Sequence, residues 1–99
     1  MSVWGAIPDA SAARAFDVVG LGEVSLDRRI ELDALPVAGS KQAVRTSCTL
    51  PGGQIATALL GCARLGLRAA FVGAVGDDEA AGAALAPLRR AGVDTTGVR

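Results

Sequence analysis

Two apolar runs, FDVVGLGEV (residues 16–24) and RAAFVGAVG (residues 68–76), constrain this chain more than any other feature. Each is short and punctuated by glycine, the pattern of a strand buried on both faces of a parallel sheet. Parallel neighbours need a crossover between them, and helical periodicity supplies one. In QIATALLGCARL (residues 54–65) the apolar residues Ile55, Leu59, Cys62 and Ala63 recur at three- and four-residue spacing. Gly66 stands just past that pattern, where helices commonly end. Asp77 or Asp78 is placed to cap a second helix, with Glu79 in its first turn complementing the dipole. That helix runs toward Ala91 and stops at Gly92, with a kink or break expected at Pro87. The closing GVDTTGVR leads into a further strand. The order is that of an α/β chain with parallel strands.

Between the first strand and the first helix lies SLDRRIELDALPVAGSKQAVRTSCTL (residues 25–50). Arg29, Glu31 and Asp33 alternate there with Ile30 and Leu32, as on a half-exposed strand. A turn over residues 36–39 separates it from a second extended segment, roughly residues 42–49. Together they predict a small sheet projecting from the main body.

Ninety-nine residues suit one small domain at most. Ten basic and ten acidic residues cancel, which argues against nucleic acid or an anionic membrane as the main partner. No uncharged apolar stretch approaches the ~20 residues that span a bilayer. Residues 1–15 lack the ordered segments of a secretory signal and read as a disordered leader, with Phe16 the first packed residue. A cytoplasmic location is the expectation. Cys48 and Cys62 are too few and too far apart for a zinc site, and read as two reduced, packed thiols. The absence of histidine excludes the catalytic and metal arrangements that depend on it.

The chemistry concentrates at LPGGQIAT (residues 50–57). Gly52 and Gly53 allow positive φ and remove the Cβ that would hold a ligand off the backbone. The helix N-terminus behind them offers unpaired N–H groups and partial positive charge. A tight turn for close helix packing is the alternative reading. Asp27 sits where the first strand leaves the body, the end of a parallel strand that faces ligands in α/β proteins. A carboxylate opposite backbone donors suits a polyol. GLGEVS (residues 20–25) fails as a dinucleotide fingerprint, because Ser25 replaces the third glycine and no helix follows at once. The GDD at residues 76–78 reads as a helix cap rather than a metal pair, and Arg89 and Arg90 complement a helix C-terminus.

The segments VVGLGEVSLD, LPVAGS, GGQIATALLGCARLG, AAFVGAVGDDEAAG and LRRAGVDTTGV, in this order, resemble the N-terminal third of the ribokinase-like (PfkB-type) carbohydrate kinases. The resemblance covers residues 16–99 and implies part of a ribokinase-like fold, a parallel sheet with flanking helices plus a small β-sheet lid over about residues 28–50. The family transfers the γ-phosphate of ATP to a sugar or nucleoside hydroxyl, and the lid forms a homodimer contact in some members. By the same resemblance Asp27 accepts sugar hydroxyls and Ser25 is the polar residue on the same strand end. Gly52 and Gly53 are the glycine pair whose backbone approaches the sugar, and Gln54 follows at a position that often contacts it. Thr57 stands where the family usually has Asn, keeping a hydroxyl and losing an amide. The family's catalytic Asp belongs to a Gly-Ala-Gly-Asp motif that does not occur in this chain, so no catalytic residue is assigned here. ATP and Mg²⁺ are implied for a full-length kinase, of which this chain is expected to be an N-terminal fragment, inactive alone. The alternative is a non-catalytic sugar-binding or lid-mediated dimerisation module.

Overall fold

The computed structural model describes residues 13–99, so most of the expected leader, residues 1–12, lies outside the described residues. Seven elements follow in order: β1 (Val18–Leu21), β2 (Ser25–Glu31), β3 (Thr46–Gly52), α1 (Gln54–Arg64), β4 (Ala69–Gly73), α2 (Glu79–Arg90) and β5 (Asp94–Val98). They form two sheets: a parallel one in the order β1-β4-β5, and an antiparallel pair of β2 and β3.

Both helices cover one face of the parallel sheet. Phe71 on β4 is fully buried there, with Leu59 of α1 at 2 % exposure and Leu88 of α2 at 1 %. Burial of side chains this size contributes about 1.5–3 kcal/mol each. Ala56, Ala69, Leu85 and Val93 complete the same cluster, and Ile55, Cys62 and Ala63 pack against it. The periodic stripe read from α1 is therefore its core face. β1 accepts α1 closely, because a Cβ at Gly20 would lie 2.7 Å from both Ile55 Cγ2 and Leu59 Cδ1. On the opposite face Val19 and Leu21 are exposed.

At the start of β1 and β4, Asp17 and Arg68 tie the strands together. The carboxylate receives Arg68 Nη2 at 2.8 Å, Nε at 3.2 Å and the Arg68 backbone N–H at 2.8 Å. These side-chain and backbone hydrogen bonds, with the guanidinium charge, lower the Asp17 pKa from 3.8 to about 2.

Four expectations are corrected. β1 ends at Leu21, and Ser25 and Asp27 belong to a separate strand. The second extended segment starts later and continues through Pro51 to Gly52. In a two-stranded sheet half of the N–H groups point away from the partner, so a proline is tolerated at such a position. α2 is unbroken at Pro87, which lies in the last turn. There the lost donor removes a single helical bond. Cys48 is exposed on β3, so only Cys62, half-buried, is a packed thiol.

Candidate functional site

β3 ends at Gly52 and α1 begins at Gln54, so Gly53 alone joins the antiparallel pair to the helix. Gly53 holds φ 99° and ψ 132° as the N-cap and offers no side-chain cap. L-residues rarely adopt that φ, and a Cβ would also lie 2.7 Å from the Glu23 carbonyl oxygen and 2.9 Å from Val24 Cα. Thr57 donates the first intrahelical bond, to the Gly53 carbonyl at 3.0 Å. The N–H groups of Gln54, Ile55 and Ala56 precede it, and no acidic residue occupies the first turn. At α2, by contrast, the Asp78 carboxylate accepts the Ala81 N–H at 2.9 Å, and Glu79 follows.

Gly52 is glycine for a different reason. β2 and β3 pair Asp27 with Leu50 and Ser25 with Gly52, which puts Asp27 and Gly52 on one face. A Cβ at Gly52 would lie 2.7 Å from the Asp27 Cγ and Oδ1. The Asp27 carboxylate therefore rests in the space that the glycine leaves. Ser25 Oγ donates to Asp27 Oδ1 at 3.1 Å, which restricts the carboxylate's rotation.

Asp27, Gly52, Gly53, Gln54 and Thr57 line one open cleft of about 580 Å³, together with Pro51 and Ala58. Ser25 does not line it; its hydroxyl acts on Asp27, and it borders a separate cleft with Ala74 and Val75. Ala58 was open to sequence reasoning, because it lies one helical turn after Gln54. The cleft thus sets an exposed carboxylate acceptor against an amide, a hydroxyl and a helix N-terminus, a donor and acceptor set suited to neighbouring hydroxyls.

A family model described as pfkB family carbohydrate kinase matches residues 15–99. The chain belongs to the pfkB family of carbohydrate kinases. Among its relatives, the 5-dehydro-2-deoxygluconokinase of Bacillus subtilis (strain 168) is 34% identical over 83 residues, 84% of this chain and 24% of that protein. The ATP-dependent ribose-1-phosphate kinase of Halopiger xanaduensis is 35% identical over 82 residues, 83% of this chain and 28% of its own length. The structure of Arabidopsis thaliana ribokinase, complexed with ribose and ATP, superposes with a TM-score of 0.71 at 31% identity, covering 87% of this chain and 28% of that one. This chain spans about a quarter of the length of these relatives. Such pfkB neighbours share its mixed α/β architecture, the parallel sheet with a small antiparallel sheet beside it.

Proposed function

We propose that these residues hold the acceptor sugar of an ATP-dependent carbohydrate kinase. Its phosphoryl-transfer machinery is supplied by sequence outside these 99 residues. The observation that carries the reading is the Asp27 carboxylate seated against Gly52, beside the open N-terminus of α1. In it Asp27 accepts two sugar hydroxyls, held by Ser25. The backbone at Gly52 and Gly53 closes one wall of the site, and Gln54 and Thr57 reach the sugar's far edge. The β2–β3 pair is the lid, and a second copy docks on it.

Nothing in this cleft fits a nucleotide triphosphate with its metal. Its single carboxylate is engaged by Ser25, and among the described residues no group of three or more Cys, Asp or Glu is placed to hold an ion. These residues therefore supply no phosphoryl step. ATP and Mg²⁺, as the phosphoryl donor and its counter-ion, belong with the catalytic carboxylate elsewhere.

The test begins with the intact mass of the protein as its source cell makes it, compared with the 9.9 kDa of these residues. A species several times heavier, releasing ADP in the presence of one member of a sugar panel, is expected. Asp27→Asn then lowers kcat/KM by about 10–100-fold, the loss of a charge-assisted pair of hydrogen bonds. A 9.9 kDa species that binds sugar without consuming ATP would replace this reading with a non-catalytic binding module. Full activity in Asp27→Asn would remove Asp27 from the site.

A further inference from the structure

The last turns of α1 and α2 frame another cleft, of about 310 Å³, lined by Leu60, Arg64, Pro87, Arg90 and Ala91. Leu60, Pro87 and Ala91 are half-buried, and the two arginines are exposed. No carboxylate lines this cleft. Neither guanidinium has a hydrogen bond or ion pair among the described residues. Several other arginines are engaged: Arg68 with Asp17, Arg45 with Asp33, Arg89 with Thr95.

Arginine in a last helical turn is ordinarily explained by the dipole and the free carbonyls there. Here backbone donors already meet three of the last four carbonyls of each helix, all but those of Arg64 and Arg90 themselves. In α1, Leu67 N–H donates to the Cys62 carbonyl at 3.1 Å and Gly66 N–H to Ala63 at 3.0 Å. In α2, Val93 N–H donates to Leu88 at 3.0 Å and Gly92 N–H to Arg89 at 3.1 Å. Both ends are Schellman motifs with glycine at positive φ, Gly66 at 86° and Gly92 at 81°. The dipole alone favours a cation near each end, but it does not explain two guanidiniums on one unneutralised cleft. A dianion held between the two guanidiniums meets both charges. The guanidinium fork matches phosphate oxygens two at a time. An apolar floor beneath a charged rim adds a place for a ring or hydrocarbon body, and about 310 Å³ admits only a small one.

We propose that this cleft binds a small organic phosphate monoester. It lies at the C-terminal end of α1, about 15 Å along the helix from the Asp27 cleft at its N-terminus. The site is therefore separate from the acceptor cleft.

The test is a titration of the isotope-labelled intact protein, at the length its source cell makes, with phenyl phosphate, followed through backbone amide shifts. Saturable shifts are expected at Leu60, Arg64 to Gly66 and Leu88 to Gly92. Arg64→Gln or Arg90→Gln weakens binding about fivefold, and the pair together about 20-fold. Arg28→Gln, on the distant hairpin, leaves it unchanged. Equal shifts from sodium sulfate at matched ionic strength would mean a non-specific charge effect and overturn the proposal. So would undiminished affinity in the double variant, or shifts centred on Gln54 and Thr57.

Discussion

Replacing Gly53 by alanine is expected to destabilise the fold by about 3 kcal/mol, while the same change at Gly52 costs less than about 0.5 kcal/mol. The first figure has two parts. Holding an L-residue near φ 99° and ψ 132° costs about 1–3 kcal/mol. The added Cβ then meets backbone at 2.7 and 2.9 Å, and backbone cannot move aside as a side chain can. Overpacking of that kind adds about 1 kcal/mol or more. Gly66 separates the parts, because it holds φ 86° and a methyl group added there would have nothing within 4 Å. Gly66→Ala is therefore expected to cost the conformational part alone, about 1 kcal/mol. At Gly52 the obstacle is the carboxylate of exposed Asp27, which swings outward at little cost in stability. Urea unfolding followed by far-UV circular dichroism reads all three. With a slope of about 1–1.5 kcal/mol/M, the midpoint falls by about 2–3 M for Gly53→Ala and by under 1 M for Gly66→Ala. It barely moves for Gly52→Ala. Equal losses at Gly53 and Gly66 would refute the steric account of the junction, and a large loss at Gly52 would refute its assignment to the carboxylate.

Three further outcomes follow from the geometry. Asp17 has a folded pKa of about 2, below its ordinary 3.8, so its stabilising contribution is present above about pH 4 and is lost as pH falls toward 2. Asp17→Asn should flatten stability across that window in acid titrations, and an unchanged acid slope would show that the Arg68 contact is not formed in solution. Leu88→Ala, at a position 1 % exposed, is expected to cost about 2–5 kcal/mol in the same urea assay, and a cost below about 1 kcal/mol would place the core elsewhere. A thiol reagent followed by mass spectrometry should label Cys48 in the native state well before Cys62; simultaneous labelling would contradict the packing of α1.

The parallel sheet and both helices were legible because their signals are local. Apolar runs give β1 and β4, three- and four-residue spacing gives α1, and Asp78 with Gly92 brackets α2. The projecting pair was legible in existence and not in extent. Glycine at position 22 looks like strand punctuation, yet the chain breaks there and β2 starts only at Ser25. LPGG looks like a turn, yet β3 runs through Pro51, because pairing across Leu26 overrides local turn chemistry. At the cleft, spacing along α1 places Gln54 and Thr57 together, and the glycine pair marks the junction. That Asp27 fills the room left by Gly52 depends on strand register, which is a long-range property of the hairpin. Pro87 misleads because a proline removes one donor and need not end a helix: α2 runs on to Arg90.

The nesting of the Asp27 carboxylate over Gly52 also makes the two positions mutually dependent over sequence change. While the carboxylate stays, any side chain at position 52 displaces it, so alanine or serine there moves Asp27 rather than unfolding the chain. Once position 27 carries a smaller residue, position 52 is released to vary. Gly53 has no such partner, since its neighbours are the main chain of Glu23 and Val24, which every sequence retains. Aligned kinases of this fold should therefore show positions 27 and 52 changing together and position 53 fixed.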